Sequence, residues 1–260
     1  MPTSLNKLAA GLTALALAAG PAGAQVPAAS SAASAPACRV AIDVGHTLQQ
    51  PGATSARGVG EFFFNQRMAR RLRASINARP GLAAFIVNEA GGPIGLSERT
   101  DQAQARQADL LISVHHDSLQ PRYLSGWTHD GAARLYSDRF RGHSLFYSTL
   151  NPRADASLAV AGRIGARLLA AGFTPTLHHA EPIAGESRVL ADAARGIYVF
   201  DDLVVLKTAR MAAVLLECGV ILNRDEELLL SDPAYQQRLA TAVADAVEAS
   251  CRSDLGTRPR

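Results

Sequence analysis

The segment Arg39-Val40-Ala41-Ile42-Asp43-Val44-Gly45-His46 decides the fold of this chain. A short apolar run with β-branched residues that stops at a glycine predicts a buried strand over 39–43. His46 then lies just beyond the carboxyl end of that strand. Similar runs occur over 84–87, 110–114 and 212–216, with a less clear one over 144–148. The sequence therefore predicts a sheet made largely of buried strands.

Helices separate these strands. In the first of them, apolar side chains recur every four residues while arginines take the other faces: Phe64, Met68, Leu72 and Ile76. This is the pattern of an amphipathic helix. Further helices are predicted over 97–107, with Ser97 as the N-cap, over 158–171 and over 233–250. The alternation predicts an α/β fold with one mostly parallel, twisted sheet and helices on both faces.

The first 24 residues have the pattern of a secretory signal peptide. Lys7 precedes an apolar stretch over 8–19, and Ala22-Gly23-Ala24 is a small-x-small cleavage site. We therefore expect cleavage near Ala24 and a protein that is periplasmic or secreted. No later stretch reaches the span of about 20 apolar residues that a membrane helix needs, so no stable membrane insertion is expected.

The rest of the chain divides into three parts. The Ala-, Ser- and Pro-rich tract over 25–37 has almost no large apolar side chain and is expected to be a flexible leader. A single folded domain is expected over 38–252, which is long enough to bury a sizeable core. Residues 253–260 are expected to form a disordered tail. The segment 172–202 is polar and long for a connection, so we expect a loop that lines part of a substrate groove.

Charge and cysteine content narrow the function classes. The net charge is +3, and the basic residues do not cluster with aromatic ones, so nucleic acid is not an expected partner. In an oxidising compartment Cys38 and Cys251 can pair, which leaves Cys218 free; three reduced thiols are the alternative.

Four residues that carry metal or acid–base chemistry fall at one edge of the predicted sheet. His46 follows the first strand, His115 ends the third, and Glu217 ends a late strand. Glu61 opens the first long helix, which starts from the same edge. Functional groups in open α/β sheets gather beyond the carboxyl ends of the strands, so the four can converge. Two imidazoles, a ligating carboxylate and a free carboxylate predict a Zn²⁺ site that activates water for amide hydrolysis.

The same residues carry a family resemblance. The segments Ile42-Asp43-Val44-Gly45-His46, Gly60-Glu61, 108–115, Arg195-Gly196-Ile197 and 214–219 resemble the amidase-3 type of N-acetylmuramoyl-L-alanine amidase, in that family's order and spacing. The resemblance covers nearly all of 39–250. It implies a sheet of about six strands flanked by helices. It also implies that His46, Glu61 and His115 hold the zinc and that Glu217 is the catalytic carboxylate, in a zinc amidase domain over 38–252.

The resemblance also implies a substrate and a reaction. The bond cut would join N-acetylmuramic acid to L-alanine of the stem peptide, so peptidoglycan or muropeptides would be the partners. Glu217 would act first as general base and then as general acid. A zinc peptidase acting on the stem peptide and an inactive wall-binding protein stay open as alternatives. A serine hydrolase is disfavoured because the chain has no Gly-x-Ser-x-Gly elbow.

The sequence departs from the family pattern at residues next to the predicted zinc ligands. His116 and Asp117 stand where Ala-Asn or Ala-Asp is common, which affects the groove beside His115. The chain between His115 and Ser148 is too short and polar for the inserted helix that restrains some members. We therefore expect no obligatory activator.

Other residues have weaker predicted roles. Asp43 is expected to orient the His46 loop, and His116, which points away from His115 in an extended chain, is expected to support the site from outside or to line the groove. Arg195 is a candidate contact for a substrate carboxylate, with a structural salt bridge as the alternative. Four further histidines lie in polar segments, where solvent-facing imidazoles are the usual case: His129, His143, His178 and His179.

Overall fold

The computed structural model describes residues Cys38–Leu255. The predicted signal peptide over 1–24, the leader over 25–37 and the last five residues of the predicted tail lie outside the described residues. No helix within the described range is both long and apolar enough to cross a bilayer.

Strands and helices alternate along most of the described chain. In order, the elements are β1 Cys38–Val44, α1 Glu61–Asn77, β2 Leu82–Val87, α2 Leu96–Ala105, β3 Leu110–Asp117, β4 Ser125–His129, β5 Ala132–Tyr136, β6 Ser144–Tyr147, α3 Ala154–Ala170, β7 Leu190–Asp192, β8 Ile197–Val199, α4 Val204–Thr208, β9 Ala212–Val220, α5 Arg224–Ser231 and α6 Pro233–Ser250. Two short 3₁₀ turns lie at Pro121–Tyr123 and His178–Ala180. The predicted α/β class is confirmed.

Within 38–255 the main sheet has seven strands in the order β2-β1-β3-β9-β6-β8-β7. The four strands β2, β1, β3 and β9 are parallel, whereas β6 runs antiparallel to β9. The sheet is thus mixed but mostly parallel, in agreement with the expected sheet of about six strands, and it has two strands beyond the five runs recognised in the sequence. The difference arises in 172–202, where β7 and β8 pair at the sheet edge instead of forming one long loop. Strands of three residues leave too short a period-2 pattern to be recognised in sequence.

The two faces of the sheet bury different helices. Alternate strand residues such as Ile42 and Ile112 pack with the apolar side chains of α1, α3 and α6. The intervening residues, including Leu111 and Leu215, pack with α2 and α4 on the other face. The predicted stripe of α1 is fully buried, since Phe64, Met68, Leu72 and Ile76 have relative exposures of at most 1%. Helices therefore cover both faces, as the sequence predicted.

One predicted helix boundary is wrong. Helix α2 begins at Leu96 with Gly95 as its N-cap, so Ser97 lies inside the helix. After α6, residues Cys251–Leu255 form a π-helical turn that continues the helix. Leu255 is buried and belongs to the same core cluster as the apolar residues of α6. The domain end at residue 252 and the tail over 253–260 stay predictions. A single apolar residue after the three polar residues 252–254 gave no periodic signal for this turn.

Cys38 and Cys251 form a disulfide that joins the first strand to the end of the last helix. Cys218 stays outside this bond and is buried. The cross-link closes a loop with a sequence separation of 213 residues, and long loops lose the most entropy in the unfolded chain when they are closed.

Loss of this bond is expected to destabilise the protein. Cys38→Ser combined with Cys251→Ser should lower the free energy of unfolding by about 2–4 kcal/mol, measured by urea denaturation. Cys218→Ala is the control for removing a thiol outside the bond. It retains the Cys38–Cys251 bond, so reductant should shift its unfolding curve as it shifts that of the parent, whereas the double variant should not respond to reductant. Equal stability of the double variant and the parent in oxidising buffer would contradict the structural role of the bond.

Candidate metal centre

Three side chains predicted as ligands meet at the carboxyl edge of the parallel strands. Glu61 Oε2 lies 2.9 Å from His46 Nε2, and Glu61 Oε1 lies 2.9 Å from His115 Nδ1. One donor atom from each residue lies within 4.8 Å of the others, so this group can hold a metal ion. Burial alone would raise the pKa of Glu61, but hydrogen bonds with His115 and His46 outweigh it and hold that pKa well below its usual value.

Two glycines leave the space that the imidazoles occupy. A Cβ on Gly45 would lie 2.4 Å from the His115 ring. A Cβ on Gly52, whose φ is +78°, would lie 2.5 Å from Glu61 Oε2 and 2.6 Å from the His46 ring. His46 itself has φ +70°, a conformation that non-glycine residues adopt at some cost. The turn after β1 is therefore shaped around these side chains.

A buried arginine that the sequence analysis missed holds the His46 turn. Arg99 on α2 donates to Asp43 Oδ1 at 2.7 Å and to the carbonyl oxygens of Val44 at 2.5 Å and His46 at 2.7 Å. The second oxygen of Asp43 accepts a hydrogen bond from Ser113 at 2.8 Å. Asp43 thus reaches the His46 turn through Arg99. The only sign of this role was the position of Arg99 on the buried side of α2, together with Thr100 and Ala103.

Removing the Arg99 guanidinium should therefore destabilise the fold. Arg99→Met leaves the buried Asp43 carboxylate without its cation, and breaking a buried pair in this way costs about 3–5 kcal/mol in the free energy of unfolding. The measurement is urea denaturation, with Arg70→Met as the matched control. Arg70 forms an exposed pair with Glu89, and such pairs contribute about 0–1 kcal/mol. Equal losses in both variants would contradict the bracing role of Arg99.

His116 lies behind Glu61 and reaches it through Asn65. The amide nitrogen of Asn65 donates to Glu61 Oε1 at 3.1 Å, and its carbonyl oxygen lies 2.7 Å from His116 Nδ1. The backbone N–H of His116 also donates to Glu61 Oε1 at 3.2 Å. Burial lowers the pKa of His116 to about 3, so its ring is neutral and donates from Nδ1 to the Asn65 oxygen. Asn65 is a second contact that the sequence analysis did not identify; it lies one helical turn after Glu61.

Glu217 lies opposite His115 in the register between β9 and β3. The residue is half-buried, yet its Oε2 is cut off from solvent and has no hydrogen-bond partner among residues 38–255. Burial, followed by the nearby charges of Asp117 and Glu61, raises the pKa of Glu217 well above its usual value. The side chain lines a cavity of about 360 Å³ whose wall also includes Asp117, His179, Glu186 and Arg188.

Arg195 has an intramolecular partner. Its guanidinium lies 2.5 Å from Asp192, and its Cβ lies against the backbone of α3 at Gly165. The ion pair is the structural alternative that the sequence left open.

Three of the four histidines expected to face solvent are instead buried, with relative exposures of 2% for His143, 2% for His178 and 8% for His179. Their polar sequence neighbours gave the wrong prediction because the segments fold back onto the sheet.

The chain is similar to known N-acetylmuramoyl-L-alanine amidases over most of its length. The chain is 24% identical over 212 residues to a putative N-acetylmuramoyl-L-alanine amidase of Buchnera aphidicola, an alignment that covers 80% of this chain and 94% of the relative. It is 26% identical over 221 residues to the amidase AmiA of Escherichia coli, covering 80% and 74% of the two chains. The alignment with the probable amidase AmiB of Haemophilus influenzae, at 25% identity, covers 81% of this chain and 51% of the relative.

Solved structures share the fold. An N-acetylmuramoyl-L-alanine amidase of Clostridium difficile superposes with a TM-score of 0.67 at 21% identity, covering 85% of this chain and all of that one. The catalytic domain of the amidase CwlV of Paenibacillus polymyxa gives 0.61 at 24% identity, covering 82% and 97%. The sequence model of the amidase-3 family, described as N-acetylmuramoyl-L-alanine amidase, matches residues 40–249. The chain therefore belongs to the amidase-3 family of N-acetylmuramoyl-L-alanine amidases, hydrolases that act on peptidoglycan.

Proposed function

We propose that this protein uses zinc to hydrolyse the amide bond between N-acetylmuramic acid and L-alanine of the stem peptide. The observation that carries the proposal is the convergence of His46, Glu61 and His115 within 4.8 Å, beside the unpartnered carboxyl oxygen of Glu217. Two imidazoles and one carboxylate form a donor set that suits zinc.

The charges around the centre favour a bound cation. Burial, and after it the charges of Asp117 and Glu61, raise the pKa of Glu217 well above its usual value, which disfavours the carboxylate form that a general base needs. A positive charge held by His46, Glu61 and His115 offsets these carboxylates. When bound there, zinc supplies Lewis acidity, which polarises a substrate carbonyl and makes a water molecule more acidic.

Glu217 then moves the protons of the reaction. Its carboxylate takes a proton from the attacking water while a C–O bond forms at the carbonyl carbon of the lactyl group. The same carboxyl donates that proton to the L-alanine nitrogen as the C–N bond breaks. The products are a lactyl carboxylate and a free amine. Asp43 acts through Arg99 to orient His46, and His116 acts through Asn65 to orient Glu61.

Product analysis tests the bond that is cut. Purified sacculi digested with the zinc-loaded protein should release stem peptides with a new amine on L-alanine and leave bare glycan chains, identified by mass spectrometry. Cleavage within the stem peptide would instead identify a zinc peptidase. Binding to sacculi without any released peptide would identify an inactive wall-binding protein.

Substrate recognition and export are part of the proposal. Arg195, whose side chain is 44% exposed, is the candidate for contact with a substrate carboxylate, and Arg195→Ala should then raise KM with little change in kcat. Export would proceed through a signal peptide cleaved near Ala24 into the periplasm or the medium. Cell fractionation and N-terminal sequencing of the mature protein test this step.

We expect activity without an activator protein. All of 118–143 is described, and it contains a 3₁₀ turn and the hairpin of β4 and β5 but no α-helix that could cover the centre. The hairpin is attached beside the centre by a hydrogen bond from Trp127 Nε1 to the Ala56 carbonyl at 3.0 Å. The purified, zinc-loaded protein should release dye from labelled sacculi by itself. Dye release that begins only when a cell extract is added would contradict this expectation.

A further inference from the structure

A second group of donor atoms converges outside the centre described above. Asp117, His178 and His179 each offer one atom within 4.8 Å of the others, and all three residues are buried. Asp117 Oδ2 lies 2.7 Å from His179 Nε2 and 3.3 Å from His178 Nε2. Two Nε2 atoms and a carboxylate oxygen therefore point at the same small volume.

Each imidazole is also held at its other nitrogen. His179 Nδ1 lies 2.8 Å from Glu186 Oε2, and His178 Nδ1 lies 2.9 Å from the Thr176 hydroxyl. Donation from Nδ1 to the Glu186 carboxylate leaves the Nε2 lone pair of His179 available, as outer partners do for histidine ligands of metals. The Thr176 hydroxyl has the same effect on His178 when it accepts from Nδ1. The arrangement matches a carboxylate–histidine–metal geometry at His179 and its hydroxyl counterpart at His178.

The segment that carries the two histidines is anchored to the sheet. Tyr198 on β8 donates to the Thr176 carbonyl at 2.9 Å, and the Arg188 N–H donates to the His179 carbonyl at 2.8 Å. Asp117 comes from the other side, where the pairing of β3 with β9 shifts register after His115. The donors therefore come from two separate elements that a cation would join.

A proton alone does not satisfy this cluster. Protonated His179 can donate to both Asp117 and Glu186, but His178 Nε2, at 3.3 Å from Asp117 Oδ2, does not meet hydrogen-bond geometry with any of the described residues. His178 is 2% exposed, so water does not compensate that nitrogen. A cation bound to Asp117 Oδ2 and both Nε2 atoms engages every one of these groups. It also offsets the negative charge of Asp117 and Glu186 next to Glu217.

We propose that Asp117, His178 and His179 bind a second divalent cation of the zinc class. Two imidazoles and one carboxylate select such ions over calcium or magnesium, which prefer oxygen ligands. The cation joins the 3₁₀ turn His178–Ala180 to the end of β3 and so fixes the cavity wall that includes Asp117, His179 and Glu186. This proposal does not depend on the function of the His46 centre.

Metal content of the full chain tests the proposal. The protein is loaded with Zn²⁺, freed of excess metal by gel filtration and analysed by mass spectrometry of the metal. The unaltered chain should hold two equivalents, His178→Asn and His179→Asn should each hold one, and His115→Ala should also hold one. His129→Asn is the matched control, because it removes a histidine outside both groups, and should retain two.

Each outcome decides the question. One equivalent in the unaltered chain, or two in both His178→Asn and His179→Asn, would overturn the second site. Circular dichroism of the gel-filtered protein verifies that each variant is folded. If neither histidine variant folds, the count in the unaltered chain and in His115→Ala decides. Failure of the amidase assay with a count of two would sink the proposed function while leaving the second site intact.

Discussion

Glu217→Gln is expected to lower kcat on peptidoglycan by about 10²–10⁴-fold, the usual contribution of a general acid–base group. Glutamine has the shape of the carboxyl group but neither accepts a proton from water nor returns it to the leaving nitrogen. The metal content of the variant should be unchanged, because Glu217 lies opposite His115 on the neighbouring strand and is not one of the three converging donors. Dye release from labelled sacculi and metal analysis of the same preparation measure the two quantities.

A buried carboxyl outside the centre provides the control for this substitution. Glu226 on α5 accepts hydrogen bonds from the N–H groups of Gly142 and Val220, at 2.9 Å and 2.8 Å. Burial raises the pKa of Glu226 to about 7, so it is a second carboxyl with a raised pKa. Glu226→Gln retains an acceptor oxygen and should keep full kcat. If Glu217→Gln were as active as Glu226→Gln, Glu217 would not be the general base.

His115→Ala is expected to abolish metal binding at the His46 centre and to reduce activity by more than about 100-fold. Even loss of an outer partner of a metal ligand costs about 10–100-fold in affinity or activity, and a ligand contributes more. After the substitution, only His46 and Glu61 of the three donors remain, and Glu61 loses its 2.9 Å contact with His115. Metal analysis and dye release measure the outcome.

His129→Asn is the control for a lost histidine. His129 lies on β4 and stacks on Trp127, so its removal should change neither the metal content nor the rate. Unchanged activity in His115→Ala after dialysis against a chelator would show that the reaction proceeds without this centre. The function proposed here would then be wrong.

The local pattern of apolar residues in the sequence predicted much of the fold. The buried strands that begin at Cys38 and Ala212 were recognisable as continuous apolar runs, and α1 was recognisable because its apolar residues recur every four positions. The short strands β7 and β8 were missed, since three residues are too few for such a pattern. The helix start at Gly95 was missed because Ser97 is a strong capping residue by type, yet it lies inside the helix.

The candidate centre could be predicted for a topological reason. Parallel strands end at the same edge, so His46 just after β1, His115 near the end of β3 and Glu217 near the end of β9 had to approach one another wherever the loops went. Arg99, by contrast, gave only a weak signal. Its partners are Asp43 and two carbonyl groups on a different element, and no spacing along the chain encodes that contact.

By itself the sequence determined the α/β class, which depends on periodicity, and the family resemblance, which depends on short motifs. It also proposed His46, Glu61, His115 and Glu217 as site residues, because they fall at predicted strand and helix ends. Only the tertiary structure decided the burial of His178 and His179 against Asp117. The aspartate ends β3, whereas the two histidines lie about 60 residues later in a polar segment. Their convergence depends on how one loop folds over the sheet edge, and short-range pattern contains no information about that.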